Sequence, residues 1–334
     1  MRVIILGKGA MLANLIEGSK DFNIVGVFRY ERTLYSPFKL FIHDLLKPSN
    51  ERTLIKKYKL HEIKCKSANS ETFRNEIIKL NADVIIMGTW REKLKKEIYN
   101  TPTIATINVH PSLLPNYRGP NPYLQTILHG EKESGVTFHL VTEKYDEGPI
   151  IAQEKIEILP IDTSKELKEK SVYKARLMVK DLLHRLQTEI IKTIPQGEGT
   201  YYPNISGDEK MLNFKIQNSE DIINTIRALN PFLPTYITID KTYLVVNPYK
   251  IEVTNNKGSA GSIINKSSKT RSLTICCKDG ISIKFSDLKL YRSNKFLTQI
   301  YISKLKNDNK SCNWSRKFSL YYIKSWCKKK LYLA

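Results

Sequence analysis

Val3-Ile4-Ile5-Leu6-Gly7-Lys8-Gly9, followed by an apolar-periodic stretch from Met11 to Ile16, decides how the first half of this 334-residue chain is read. Four apolar residues closed by glycine predict a buried strand. The glycines then allow a tight turn into a helix. Working outward, Ile24 to Phe28 reads as a second strand, 83–87 as a third, Ala105 to Val109 as a fourth and Gly135 to Val141 as a fifth. Helical stretches are expected around 51–59 and 71–80, and a long helix from Ser164 to Ile194 with Ser164 as its candidate cap. Strands alternating with helices predict an α/β fold: a Rossmann-like, doubly wound, mostly parallel sheet. The dinucleotide fingerprint itself is incomplete. Its third glycine is replaced by Leu12, and Arg29 and Tyr30 end the second strand where a ribose-binding acid belongs.

The texture changes after about residue 196. The polar stretch Gly197 to Asp208, with Tyr201-Tyr202-Pro203 in its middle, reads as a linker. Ser219 to Leu229 reads as a helix. Tyr236 to Val246, Ile251 to Thr254, Gly261 to Ile264, Ser272 to Cys277 and Gly280 to Phe285 read as short strands. Many short strands in so few residues predict a small, OB-like β-barrel. The expected organisation is a first domain over 1–196, a linker at 197–208, a barrel-like domain over 209–303 and a tail over 304–334. That tail mixes Lys and Arg with Trp314, Phe318, Tyr321, Tyr322 and Trp326.

The formal net charge is +21, and 241–334 hold 20 Lys+Arg against 4 Asp+Glu, a net of +16. A basic C-terminal third fits a phosphate-rich partner. Codon bias toward Lys, Ile and Asn is the competing explanation. Cys65, Cys276, Cys277, Cys312 and Cys327 are odd in number, and their spacing predicts neither a disulfide framework nor a zinc site. No metal is expected. No apolar run reaches the roughly 18 residues of a membrane span, and the start reads as a strand rather than a signal peptide. A cytoplasmic monomer without membrane contact is expected.

The chemistry concentrates in Ile107-Asn108-Val109-His110-Pro111-Ser112-Leu113-Leu114-Pro115-Asn116-Tyr117-Arg118-Gly119-Pro120. Asn108 and His110, two apart at a strand end, project from one face. The carboxyl end of a parallel strand is where open α/β sheets place their sites. Asp146, in Tyr145-Asp146-Glu147-Gly148, follows another strand and can reach the same crevice. An amide, an imidazole and a carboxylate suit acyl transfer to an amine. Asn108 can donate to the tetrahedral oxyanion. His110 can take the amine proton and pass it to the leaving nitrogen. Asp146 can orient His110 and stabilise its charged form.

Asn108-x-His110-x-Ser112-Leu113-Leu114-Pro115, Tyr117-Arg118-Gly119, Ser134-Gly135-Val136-Thr137 and Asp146-x-Gly148 together resemble the signature of the formyltetrahydrofolate-using formyltransferases. The resemblance implies 10-formyltetrahydrofolate as co-substrate and Asn108, His110 and Asp146 as the catalytic trio. It implies a pterin pocket lined by Met87, Gly88 and Thr89 with Ser112, Leu113, Leu114 and Pro115. Met211-Leu212-Asn213-Phe214, Ile226-Arg227-Ala228-Leu229 and Ser259-Ala260-Gly261 resemble the second domain of the methionyl-tRNA branch. That branch implies initiator methionyl-tRNA as partner and formylation for translation initiation as function. Two features depart from it. Arg29 to Lys39 lacks the branch's Gly- and Arg-rich loop, and Pro111 and Tyr117 are choices also found in enzymes acting on amino sugar nucleotides. An amino sugar nucleotide is therefore the alternative acceptor.

Overall fold

The computed structural model describes residues 1–46, 49–188, 191–205, 212–239, 242–291 and 293–305. Beyond these limits fall most of the predicted tail, positions 206–208 of the predicted linker, and Met211. Chain contacts divide the protein into two units. The first comprises 1–122, 133–158 and 168–203, and the second 123–132, 159–167 and 204–334.

The first unit is built on a six-stranded sheet. Strands β1 (Arg2–Gly7), β2 (Asn23–Arg29), β3 (Val84–Gly88), β4 (Ala105–His110), β5 (Glu133–Leu140) and β6 (Ile150–Glu157) stand in the order β2-β1-β3-β4-β5-β6. The first four run parallel, while β5 and β6 are antiparallel to their neighbours. The expected mostly parallel sheet is thus a mixed one. Alternation along β1 sends Ile4 and Leu6 into a core with Phe28, Phe73 and Ile77. Helix α1 (Gly9–Gly18) follows a turn in which Gly9 has φ +57°. A side chain there would be strained, which is the role the sequence assigned to this glycine.

Three features along 1–188 differ from expectation. Strand β6 was not foreseen, because Gln153, Glu154 and Lys155 break the apolar alternation of an edge strand. Arg29 to Lys39 is not simply a loop: it turns into short α2 (Glu31–Leu34) and then α3 (Pro37–Leu46). Buried Arg29 pairs through both terminal nitrogens with Asp44 of α3, at 2.9 and 2.8 Å, and through Nε with Glu62 at 2.7 Å. The remaining helices are α4 (Asn50–Lys57), α5 (Glu71–Lys79), α6 (Lys96–Tyr99), α7 (Pro122–Leu128) and α8 (Ser164–Thr188). The third difference is the cap of α8. Thr163 caps it: its amide donates to the Glu166 carboxylate at 2.9 Å, and its hydroxyl accepts from Lys165 N at 3.2 Å. Ser164 is buried and donates to Ala228 O at 2.6 Å.

The second unit carries helix α9 (Ser219–Leu229), entered by a capping box between Asn218 and Asp221, and two antiparallel sheets. Strands β7 (Tyr236–Ile239), β8 (Thr242–Val245) and β13 (Lys289–Leu290) form one, in the order β13-β8-β7. Strands β9 (Ile251–Thr254), β10 (Ile263–Ser267), β11 (Ser272–Cys276) and β12 (Ser282–Phe285) form the other, in the order β10-β11-β12-β9. Tyr236 to Val246, read as one strand, holds two antiparallel ones, β7 and β8. Ile237 and Leu244 from one sheet share a core with Leu273, Ile283 and Phe285 from the other. Helix α10 (Lys295–Lys304) adds Ile302 to it.

Candidate active site

The parallel strands bring their carboxyl ends into line. Gly7 stands opposite Gly88, and Gly88 opposite Val109. Asn108 and His110 follow on β4. The antiparallel step to β5 then sets His139 directly opposite Asn108 and Thr137 opposite His110. Directly opposed side chains are within reach of each other. Sequence spacing alone did not assign His139 a partner; the β4–β5 register supplies one.

Asn108, His110, His139 and Asp146 converge. Asn108 Nδ2 lies 3.0 Å from His139 Nε2 and 3.3 Å from Asp146 Oδ1. The Leu140 carbonyl, 2.9 Å from His139 Nδ1, can only accept, so that nitrogen carries the proton and Nε2 accepts from Asn108. Both amide hydrogens of Asn108 are therefore directed at acceptors, which fixes the amide orientation. The same logic holds for His110. Its Nε2 donates to the Tyr117 carbonyl at 2.9 Å, leaving Nδ1 to face Asp146 Oδ1 at 3.6 Å. Asp146 Oδ2 accepts from the Gly119 amide at 3.1 Å.

The electrostatics follow from burial and these partners. His110 is 5% exposed. Burial pushes its pKa below the ordinary imidazole value, Asp146 and the Tyr117 carbonyl push upward, His139 pushes downward, and burial prevails. Burial would raise Asp146. His110, His139 and the Gly119 amide override it and hold the carboxyl at about 2. The site thus pairs a neutral imidazole with an ionised carboxylate near neutral pH. Asp146 adopts φ +54° and Tyr117 φ +61°. Such backbone is sparsely populated, tolerated best by Asn and Asp, and held only where surroundings over-determine it.

Asn108, His139 and Asp146 line a narrow crevice with Met87, Leu94 and Val141 as apolar wall and Lys93, Lys144 and Tyr145 also contributing. His110 adjoins it through Asp146, at 3.6 Å. Of the residues predicted to line a pterin pocket, Met87 does line this crevice. Gly88 is buried at the end of β3, and Thr89 follows it, exposed, at φ +56°. Ser112 is buried and turned away, donating to Asn116 O at 2.8 Å. Leu113 is half-buried, as is Pro115. Leu114 is buried. Its amide donates to Thr137 Oγ1 at 3.3 Å, and Gln153 Nε2 donates to its carbonyl at 2.8 Å. Thr137 also donates to Ser112 O at 2.7 Å. Sequence reading missed Gln153 because it sits on the unforeseen β6.

Residues 1–180 match the family described as formyl transferase, and residues 204–301 its C-terminal domain. The chain belongs to the formyl transferase family. It is an enzyme of the formyltransferase class. This formyl transferase is 29% identical over 298 residues to the methionyl-tRNA formyltransferase of Kosmotoga olearia, covering 86% of the chain and 92% of that relative. It is 26% identical over 265 residues to a methionyl-tRNA formyltransferase of Staphylococcus aureus, covering 79% and 84%. Among solved structures it resembles an N-formyltransferase from Helicobacter canadensis in complex with folinic acid and dTDP-3-aminofucose. The TM-score is 0.63 at 21% identity, covering 86% of this chain and 99% of the other. HypX from Aquifex aeolicus in complex with tetrahydrofolic acid aligns with a TM-score of 0.58 at 16% identity, covering 87% and 44%. At these identities the structural likenesses bear on fold.

Among the described residues no group of three or more His, Cys, Asp or Glu is placed to hold a metal ion, and no helix is long and apolar enough to cross a membrane.

Proposed function

We infer that the enzyme transfers the formyl group of 10-formyltetrahydrofolate to the α-amino group of methionyl initiator tRNA, in service of translation initiation. The observation that carries the chemistry is the neutral His110 facing the ionised Asp146 at 3.6 Å, with Asn108 beside them. The crevice suits a folate donor: Met87, Leu94 and Val141 offer apolar contact to a planar ring, and Lys93 and Lys144 suit a carboxylate tail. In the first unit, Met87 to Thr89 and Ser112 to Pro115 are the proposed pterin-side residues.

The reaction forms a bond between the acceptor nitrogen and the formyl carbon and breaks the bond from that carbon to the folate nitrogen. One proton must pass from the amine to the leaving nitrogen. His110 Nδ1 takes it, and the resulting imidazolium is stabilised by Asp146 before the proton moves on. Asn108 Nδ2 gives up its longer contact, to Asp146, and donates to the developing oxyanion, an interaction of the kind worth about 2.7–4 kcal/mol.

The tRNA acceptor is supported by the names of relatives that span both domains and by the net charge of +16 over 241–334. The two sheets of the second unit surround one core, and we read them as the small OB-like barrel of that branch. An amino sugar nucleotide is the second reading, favoured by the N-formyltransferase of Helicobacter canadensis, 99% of whose chain aligns. The enzyme is taken to act as a cytoplasmic monomer. The deciding experiment supplies 10-formyltetrahydrofolate with methionyl initiator tRNA and with a panel of amino sugar nucleotides. Transfer to the charged tRNA alone supports this reading. Transfer to a sugar alone overturns the acceptor and keeps the donor chemistry.

A further inference from the structure

The geometry points to Gln196 as a positioning residue for Asp146, clasping the two loops that hold the catalytic carboxylate. The claim rests on the formyl-transfer reading above for its kinetic consequence, though not for its structural one. Gln196 lies in 181–203, a stretch that neither family match covers. The sequence reads its C-terminal neighbours, from Gly197, as a linker.

The segment around it is bound along its length to the loop carrying Tyr117 and Gly119. Arg118 N donates to Thr200 O at 2.9 Å, and Tyr202 N returns a bond to Arg118 O at 3.0 Å. Tyr117 N donates to Thr200 Oγ1 at 2.9 Å. The rings of Tyr117 and Tyr202 stack with centroids 5.2 Å apart. Gly119, at φ +112°, passes so close that a Cβ would stand 2.3 Å from Tyr202 O. Only glycine permits that approach.

Gln196 is half-buried while Ile194, Pro195 and Gly197 beside it are exposed. Its Nε2 donates to Asp146 O at 2.9 Å and to Gly148 O at 2.7 Å. Its Oε1 accepts from Arg118 Nη2 at 2.9 Å and Nε at 3.3 Å. Two donors and two acceptor sites are the full capacity of a carboxamide. On one side it ties the turn that carries Asp146 at φ +54°. On the other it ties the residue between Tyr117, whose carbonyl holds His110, and Gly119, whose amide holds Asp146. Gln196 touches neither His110 nor the crevice-lining atoms of Asn108. It acts through the backbone that aims Asp146.

The test substitutes Gln196→Met, which keeps length and removes every bond, and Gln196→Ala as a second variant should the thioether disturb folding. Two readouts separate the proposal from a general loss of stability. The first is the titration midpoint of His110, followed by NMR in enzyme labelled at histidine. The groups facing His110 are Asp146 from the β5–β6 turn, His139 from β5 and the Tyr117 carbonyl. Asp146 raises its midpoint, so a carboxylate that drifts lets the midpoint fall. The second is formyl-transfer kinetics, where kcat is expected to drop about 10-fold or more with KM for the folate changed less than about 2-fold, the pattern of a misplaced group. A variant that folds with an unmoved His110 midpoint and unchanged kcat overturns the proposal. If the wild-type enzyme transfers no formyl group, the function reading fails instead, and the His110 midpoint alone decides the role of Gln196.

Discussion

His139 Nε2 accepts the amide N–H of Asn108 at 3.0 Å, across a strand pair that sets the two residues directly opposite. The bond orients the carboxamide so that its nitrogen, not its oxygen, faces the proposed reacting centre. Replacing His139 with Ala frees the amide to rotate. The expected result is a fall in kcat of roughly 10-fold or more, since hydrogen-bond donors to an oxyanion contribute only when pre-aimed. Steady-state kinetics check this, and an unchanged kcat would show that Asn108 is held by other means.

Asp146 makes stability depend on pH with a definite sign. Its folded-state pKa, about 2, lies below the ordinary 3.8. Its contribution is present above the unfolded value and is lost as pH falls from about 4 toward 2. The difference corresponds to about 2 kcal/mol. His110 adds to the trend, because its folded pKa lies below its ordinary 6.5 and acid favours the unfolded chain that can protonate it. Denaturant melts at several pH values should show the Asp146→Asn variant losing less stability between pH 4 and 2 than the wild type does.

Thr137 is fully buried and joins Ser112 O, Leu114 N and Gln153 Nε2. Thr137→Val keeps the shape and leaves those groups without a shared partner. A loss of about 1–3 kcal/mol is expected for an unsatisfied buried polar group, read as a lower midpoint of thermal unfolding. A variant as stable as the wild type would mean the 112–116 turn is held by packing instead.

Arg29 is 2% exposed and depends on Asp44 and Glu62. Asp44→Ala strips away its bidentate partner and leaves a buried cation half-compensated. A cost of about 3 kcal/mol is expected, with proteolysis in α3 rising as the helix loses its anchor. Equal protease resistance would contradict the anchoring role.

How much of this was legible differs by element. Val3 to Leu6 and Val84 to Met87 are continuous apolar runs, and a parallel strand buried on both faces announces itself that way. Asn108, His110 and Asp146 were legible through their motif, and the structure brings them together. The antiparallel turn at β5 was not, because strand direction leaves no trace in local periodicity. With it went the pairing of His139 with Asn108, a product of register. The α3 helix escaped because its stabilising partner, Arg29, is 15 residues from Asp44 and its own Phe38, Phe41 and Leu45 are exposed rather than buried. Ser164 was read as a cap from its type. Thr163 supplies the capping bond one position earlier, accepting from Lys165 N.

The most direct test of the account is formyl transfer from 10-formyltetrahydrofolate to methionyl initiator tRNA, measured side by side for the wild type and His110→Ala, with folding verified by circular dichroism. The wild type is expected to turn over and the variant to lose at least about 100-fold, the usual range for a missing general base. A folded His110→Ala enzyme that transfers formyl at near-normal rate would contradict it.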